Sequence, residues 1–260
     1  GVLKGGELIE IFITSIALAV AAIPEGLPAV VTISLALGVR RMIKRNALIR
    51  KLPSVETLGE TSVICSDKTG TLTMNEMTVT KLYVNNEIIN VTGSGYKKEG
   101  KFSKDPKKFS LLLRIGALCN NAVVNKKIIG NPTEASLIVS AAKANLDRDK
   151  LEKKFIRLNE IPFTSERKMM STINRVGSKK VLYAKGSPEK ILKLCKKIWI
   201  NGRTIHLTNK KKKEILKVND KLASSSLRIL GFAYKENTTK EKDLIFVGLQ
   251  GMIDPPRKEV

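Results

Sequence analysis

The sequence contains few of the residues that build metal centres, disulfide frameworks and aromatic binding surfaces. It has one histidine, three cysteines and an aromatic content of 5%. His206 alone cannot form the histidine cluster of a typical zinc site. Cys65, Cys119 and Cys195 are odd in number and widely spaced, which favours reduced thiols in the cytosol over a disulfide framework.

Acidic residues are also scarce, because 47 lysines and arginines oppose 24 aspartates and glutamates and give a net charge of +23. Such a balance is typical of proteins that meet nucleic acid or anionic membrane surfaces. However, the sequence has few aromatic residues and no zinc-finger spacing or ribonucleoprotein motif. We therefore expect no nucleic-acid partner, and we assign most of the charge to a cytoplasmic surface, with a part that serves nucleotide binding.

One long apolar stretch, residues 11–39, is interrupted only by the sequence Pro-Glu-Gly-Leu-Pro at 24–28. Its 29 residues are enough to cross a hydrocarbon core of about 30 Å. Six basic residues follow between Arg40 and Lys51, and such a cluster marks the cytoplasmic end of a membrane span. The pattern predicts a membrane helix that leads into the cytosol. The alternative is a buried helix of a soluble protein.

The interruption has the chemistry of a cation site. Pro24 and Pro28 lack backbone donors, so carbonyl groups of the preceding turn are released from helical hydrogen bonds. Glu25 places a carboxylate at membrane depth, where an ionisable group usually has a function. Carbonyl and carboxylate oxygens suit a hard cation such as calcium, but this segment cannot complete a shell of about 6–8 oxygens.

A second feature is the sequence Val-Ile-Cys-Ser-Asp-Lys-Thr-Gly-Thr-Leu-Thr at 63–73. The apolar residues at its start predict a buried central strand of a parallel sheet. Asp67 would then lie beyond the carboxyl end of that strand, where such sheets bind ligands. A carboxylate beside Lys68 and the Thr-Gly-Thr backbone could attack a phosphoryl group. The alternative is an ordinary aspartate that opens a turn.

The remainder of the chain alternates between strand and helix patterns. Asn85-Asn86 predicts a hairpin between residues 78–83 and 87–91. Cap residues predict helices that begin near Asn131, Ser187 and Thr208. The other predicted elements are helices over 108–123 and 189–197, a helix from 208 to about 225, and strands over 180–184, 227–234 and 244–249.

The heptapeptide Asp-Lys-Thr-Gly-Thr-Leu-Thr at 67–73 resembles the phosphorylation signature of the P-type ATPases, ion pumps that pass through an aspartyl-phosphate. The resemblance implies that Asp67 is the phosphorylated nucleophile, with Lys68 and Thr69 as catalytic neighbours. It also implies that Asp67 and Thr69 hold Mg²⁺. Phosphatases of the same superfold usually carry a second aspartate where this chain has Thr69, which disfavours the alternative of a soluble phosphohydrolase.

The sequence Val-Ala-Ala-Ile-Pro-Glu-Gly-Leu-Pro at 20–28 is similar to the fourth membrane helix of the calcium-transporting branch of that family. Heavy-metal pumps have a Cys-Pro type motif there, and sodium/potassium pumps usually lack the second proline. The resemblance implies calcium ligation by the Glu25 carboxylate and by carbonyl groups of Val20, Ala21 and Ile23. Manganese, sodium and protons stay open as transported cations.

Four further segments resemble the nucleotide-binding motifs of the pumps, and they imply that ATP is bound. They are Asn-Pro-Thr-Glu-Ala at 131–135, Pro-Phe-Thr-Ser-Glu-Arg-Lys at 162–168, Lys-Gly-Ser-Pro-Glu at 185–189 and the strand that carries Arg228. Ser165 occupies a place where several calcium pumps have an arginine, and Arg167 is a possible substitute. The implied ATP-binding residues are Thr69, Glu134, Phe163, Arg167, Lys168, Lys185, Gly186 and Arg228.

Together these features predict an α/β protein with four regions. Residues 1–39 form a membrane helix with a cation motif, and 40–75 form a linker and the first part of a haloacid-dehalogenase-like phosphorylation domain with a doubly wound parallel sheet. Residues 76–250 form an inserted α+β nucleotide-binding domain with an antiparallel sheet, and 251–260 form a hinge back to the phosphorylation domain. The predicted function is ATP-driven Ca²⁺ transport, with the other domains of the pump and the lipid bilayer as partners. A nucleotide-binding module without transport is the alternative.

Overall fold

The computed structural model describes residues 7–24, 26–124 and 128–260. The chain divides into two compact units, Gly1–Cys65 and Ser66–Val260.

Over its described residues, the first unit contains three helices. These are α1 (Leu8–Ala21), α2 (Gly26–Ile43) and α3 (Pro53–Gly59), and none of them contains a buried residue. Among the described residues, one apolar stretch, Leu8–Ile43, which contains α1 and α2, is long and apolar enough to cross a membrane, with a mean hydropathy of 1.9 over its most apolar window. This outcome agrees with the predicted span in length and composition.

Three hydroxyl groups within this apolar stretch are paired inside the helices. The hydroxyls of Thr14, Ser15 and Thr32 donate to backbone carbonyls four residues earlier, at 2.7, 2.7 and 2.8 Å. In a hydrocarbon environment an unpaired hydroxyl would carry a large desolvation cost. These internal bonds make the two helices compatible with an apolar surrounding.

The second unit is organised around a nine-stranded sheet, counted over the described residues. Its strands are β1 (Thr78–Val84), β2 (Glu87–Asn90), β5 (Ile156–Thr164), β6 (Met169–Val176), β7 (Lys179–Gly186), β8 (Cys195–Ile200), β9 (Arg203–His206), β10 (Arg228–Glu236) and β11 (Leu244–Ile253). Seven of them follow the order β2-β1-β11-β10-β7-β6-β5, and each pairs with its neighbour in antiparallel fashion. Strand β8 pairs with the start of β11 in parallel, and β9 pairs with β8. A separate two-stranded sheet joins β3 (Val123–Val124) to β4 (Ile128–Ile129).

Helices cover both faces of the large sheet. One core cluster contains Leu112 and Leu118 of α4 (Ser110–Leu118) together with Tyr183 and Phe232. Another contains Ile191, Ile215 and their sheet neighbours Leu182 and Ala184. Because successive residues of a strand point to opposite faces, Tyr183 belongs to one cluster and its neighbours belong to the other. The remaining helices are α5 (Pro132–Lys143), α6 (Arg148–Lys154), α7 (Pro188–Leu194) and α8 (Asn209–Ala223).

The three predicted cap residues are confirmed. The side chains of Asn131, Ser187 and Thr208 accept hydrogen bonds from backbone N–H groups in the first turns of α5, α7 and α8. The predicted hairpin is also confirmed, because Asn85 and Asn86 have φ values of 54° and 63°. Two consecutive residues with positive φ form the turn that matches the twist of a two-residue hairpin.

Two helices are shorter than predicted. The helix predicted over 108–123 ends at Leu118, because the Asn120 amide turns back to donate to the carbonyl of Gly116 at 3.0 Å. The helix predicted over 189–197 ends at Leu194, since Cys195 begins β8 and pairs with Leu244. Tertiary pairing overrides the helical pattern there.

The sequence predicted a buried strand immediately before Asp67, and in the described structure this prediction is wrong. Residues 61–67 have no regular secondary structure, and the exposed fractions of Val63 and Ile64 are 72% and 83%. A central strand needs hydrogen-bonded neighbours on both sides, and none of the described strands pairs with this segment.

Candidate functional site

A cavity of about 370 Å³ opens beside the first turn of α5 and the ends of β5, β7 and β10. Four of the residues predicted to bind ATP face it directly, namely Glu134, Phe163, Lys185 and Arg228. Gly186 lines it as well. The complete lining is Asn121, Asn131, Thr133, Glu134, Glu160, Pro162, Phe163, Met170, Lys185, Gly186, Arg228 and Leu230.

A buried ion pair lies in the wall of this cavity. The Lys185 ammonium is 2.6 Å from the Glu134 carboxylate, and the two side chains are 6% and 17% exposed. Strand β7 holds Lys185 between Met170 of β6 and Phe232 of β10. Glu134 occupies the first turn of α5, where a carboxylate is favoured by the helix dipole. The pair therefore joins the sheet to the start of α5.

Another wall of this cavity carries the exposed aromatic ring of Phe163. Phe163 lies near the end of β5, and 58% of its surface is exposed although it is a large apolar residue. Its pairing register with β6 is interrupted between Ile161 and Thr164, so the backbone leaves the regular ladder at this residue. An exposed ring at a cavity can stack on a planar base.

Gly186 allows close approach of the backbone beside Lys185. A Cβ atom at this position would lie 2.6 Å from the Lys168 carbonyl oxygen and even closer to Met169. A residue with a side chain would therefore push β6 away from β7. The glycine keeps the two strands together where the cavity narrows.

Two predicted nucleotide residues, Arg167 and Lys168, are not brought to this cavity. The Arg167 guanidinium donates to both carboxylate oxygens of Glu241, at 2.5 and 2.6 Å, and to the Pro162 carbonyl at 2.8 Å. Lys168 is exposed in the turn between β5 and β6 with φ of 52°. Neither residue lines the cavity. Arg167 thus has Glu241 as a structural partner. The sequence had suggested instead that Arg167 substitutes for the arginine whose place Ser165 occupies.

The predicted phosphorylation loop borders a second cavity of about 340 Å³. Lys68 and Thr69 line it, and Arg228 lines both this cavity and the first one. Asp67 and Thr69 are exposed. The loop turns at Gly70, where φ is 79°, a left-handed conformation that glycine adopts without strain. The Thr73 N–H closes the loop by donating to the Lys68 carbonyl at 3.1 Å.

Residues that follow β11 hold this loop from the other side. Asp254 accepts from the Thr73 hydroxyl at 2.5 Å and from the Glu76 N–H at 3.2 Å. The Arg257 guanidinium donates to the carbonyls of Gly70 and Thr71 at 3.1 and 3.0 Å. The sequence predicted a hinge over 251–260 but not these contacts, because they join residues far apart in the chain.

A suitable group for Mg²⁺ is present in the loop. Magnesium is commonly held by one or two carboxylates together with substrate phosphates and water. The exposed carboxylate of Asp67 and the neighbouring Thr69 match this requirement. Among the described residues, no group of three or more histidine, cysteine or acidic side chains could hold a metal ion.

The predicted cation motif is described only in part. Glu25 lies outside the described residues, so its predicted role as a calcium ligand stays a prediction. Helix α1 ends at Ala21, and the Val20 carbonyl accepts a hydrogen bond from the Ile23 N–H at 3.1 Å. The helix thus ends three residues before Pro24, which agrees with the predicted interruption, but the Val20 carbonyl is hydrogen-bonded and not released as predicted.

The antiparallel sheet with helices on both faces, and a cavity that contains an exposed ring, a buried cation and acidic groups, fit a nucleotide-binding domain. The sequence model described as "P-type ATPase, cytoplasmic domain N" matches residues 108–259. The chain belongs to this family.

Curated relatives match the whole chain, and three of them are calcium-transporting ATPases of two bacteria and of man. Calcium-transporting ATPase 1 of Bacillus cereus is 45% identical over 273 residues, and calcium-transporting ATPase of Bacillus subtilis is 41% identical over 282 residues. Human calcium-transporting ATPase type 2C member 1 is 42% identical over 274 residues. Each match covers 100% of this chain but only 29%, 32% and 29% of the respective relative. The chain therefore spans about three tenths of the length of these relatives.

Proposed function

We propose that the chain is a segment of a calcium-transporting P-type ATPase that uses ATP to phosphorylate Asp67. The observation that carries this proposal is the position of Arg228, which lines both the candidate nucleotide cavity and the cavity beside Lys68 and Thr69. One cation can thereby contact phosphates that extend from a bound base toward the loop. The family membership and the names of the relatives support the same assignment.

In this proposal the first cavity receives the adenosine part of ATP. The exposed ring of Phe163 stacks on the base, and Glu134 faces its polar edge. Lys185 supplies a buried positive charge, and Gly186 lets the nucleotide approach the backbone. Arg228 engages the phosphates, since a guanidinium forms charge-assisted bonds with phosphate oxygens.

The chemical step takes place at the loop. The Asp67 carboxylate attacks the γ-phosphorus of ATP, a new phosphorus–oxygen bond forms, and ADP leaves with the electrons of the broken bond. Lys68 neutralises part of the charge on the phosphate. Mg²⁺, when held by Asp67 and Thr69, supplies further neutralisation of phosphate charge. Thr69 is neither an acid nor a base at neutral pH, so it does not activate water and the aspartyl-phosphate can persist.

We assign Asp67 and its neighbours to a haloacid-dehalogenase-like phosphorylation domain, into which the nucleotide-binding domain is inserted. The segment Leu8–Ile43 spans the membrane, and both domains lie on the cytoplasmic side. Within the segment, Glu25 and the carbonyls of Val20, Ala21 and Ile23 contribute ligands for Ca²⁺. Other membrane helices of the pump complete the site.

Calcium-activated phosphorylation tests the proposal in the complete pump. We expect Glu25→Gln to abolish phosphorylation from ATP or to require much more calcium, because linkage transmits the loss of a cation ligand to the distant phosphorylation site. Glu10→Gln, which removes another carboxylate from the same apolar segment, is the matched control and should leave the calcium dependence unchanged. Unaltered calcium dependence in Glu25→Gln would remove the assignment of the cation site.

A further inference from the structure

Asn121 joins two carboxylates at the wall of the candidate nucleotide cavity. Its backbone N–H donates to one oxygen of Glu134 at 3.2 Å, and its side-chain amide donates to one oxygen of Glu160 at 2.7 Å. Asn121 and Glu160 both line the cavity together with Glu134. No sequence motif pointed to Asn121 or Glu160, since they lie 39 residues apart.

Arg157 fixes the orientation of this group. One nitrogen of its guanidinium donates to the Asn121 side-chain oxygen at 2.6 Å and to the second Glu160 oxygen at 3.2 Å. The other terminal nitrogen donates to the carbonyls of Leu118 and Asn120 at 2.7 and 2.5 Å. Because an arginine can only donate, the Asn121 oxygen must face Arg157 and its NH₂ group must face Glu160.

These bonds determine what the cavity wall offers to a ligand. The terminal nitrogens of Arg157 and the backbone N–H of Asn121 donate within the wall, and Lys185 uses one of its three donors on Glu134. Each oxygen of an ionised carboxylate has two lone pairs, so Glu160, which is 27% exposed, can accept a further bond. The wall at Glu160 therefore presents acceptors to a ligand.

We propose that Glu160, oriented by Asn121 and Arg157, is a specificity-determining residue that selects purines with a 6-amino group. The inference rests on the proposed function, because it assumes that the cavity holds the base of a nucleotide. The amino group of adenine donates hydrogen bonds to the carboxylate. Hypoxanthine and guanine place a carbonyl oxygen at that position, which meets an acceptor and stays unpaired. Asn121 acts as a positioning residue for the two carboxylates.

Binding of ATP and ITP to the complete chain in detergent tests this proposal, since ITP replaces the 6-amino group by a carbonyl oxygen. We expect the chain to bind ATP about tenfold more tightly than ITP, the effect of one unmade hydrogen bond to a charged group at a partly exposed site. Glu160→Gln should reduce this ratio to near one, because the new amide can donate to the carbonyl oxygen of ITP. Asn121→Ala should lower the ratio less, because Arg157 still holds Glu160.

Glu236→Gln is the matched control, because Glu236 forms an exposed ion pair with Lys179 outside this cavity. It should leave the ratio at the parental value. If Glu160 had a merely structural role, Glu160→Gln would weaken the binding of ATP and of ITP equally. An unchanged ratio of the two affinities in Glu160→Gln would overturn the inference while the proposed function stands. If the parental chain binds neither nucleotide, the proposed function and the inference both fall.

Discussion

The ion pair between Lys185 and Glu134 allows a quantitative prediction about stability. We expect Lys185→Met to destabilise the second unit, because it leaves the Glu134 carboxylate in a largely buried site without its cation. Breaking a buried ion pair by removing one partner costs about 3–5 kcal/mol. Glu134 keeps the hydrogen bond from the Asn121 N–H and is 17% exposed, so we place the cost at about 2–3 kcal/mol.

Urea unfolding without nucleotide measures this cost. The only tryptophan of the sequence, Trp199, is in β8 of the second unit and reports its unfolding by fluorescence. With a urea dependence of about 2–3 kcal/mol per molar for a unit of this size, the midpoint should fall by about 1 M.

The control for this prediction is Lys179→Met, which breaks an exposed pair with side chains that are 60% and 50% exposed. An exposed pair contributes about 0–1 kcal/mol, so its midpoint should scarcely change. In addition, the double variant Lys185→Met with Glu134→Gln should recover part of the loss, because no charge is left unpaired. A midpoint for Lys185→Met equal to that of the control would refute the reasoning.

Four other predictions concern binding and the thiols. Phe163→Ala should weaken ATP binding without changing the urea midpoint, because its ring is 58% exposed; equal affinity in a titration would remove its stacking role. Arg228→Ala should weaken ATP binding more than Arg167→Ala, since Arg228 lines both cavities and Arg167 is bound to Glu241; the reverse order would favour the predicted substitution for Ser165. A thiol reagent should modify only Cys65 in the folded chain and all three cysteines in urea, because Cys119 and Cys195 are buried. Burial also raises the pKa of the Cys119 thiol from 9.0 to about 11. The contribution of this buried thiol to stability is therefore fully present below pH 9 and is lost as the pH rises toward 11. A urea midpoint that stays constant between pH 9 and 11 would contradict this prediction.

Local signals in the sequence were sufficient for the helix starts and for the hairpin. Asn131, Ser187 and Thr208 cap their own helices, and Asn85-Asn86 forms its own turn. Each of these features depends on a few adjacent residues. The candidate membrane span was equally predictable, because the length and composition of the apolar stretch are enough to indicate it.

Features that depend on distant partners were not predictable in the same way. The strand predicted at 63–66 lacks neighbours in the described chain, so its apolar pattern alone was misleading. Arg167 was predicted to serve the nucleotide, but its partner Glu241 lies 74 residues later. The contacts of Asp254 and Arg257 with the loop after Asp67 likewise join residues more than 170 positions apart.

Transfer of labelled phosphate from ATP tests the central claim most directly. In the complete pump, Asp67→Asn keeps the size and hydrogen-bonding shape of the side chain but removes its nucleophilic charge. We expect the parental protein to incorporate acid-stable, hydroxylamine-sensitive phosphate, and the variant to incorporate none while it still binds ATP, because the nucleotide cavity is intact. Label of the same chemical sensitivity that persists in Asp67→Asn would contradict the assignment of Asp67 as the phosphorylated residue.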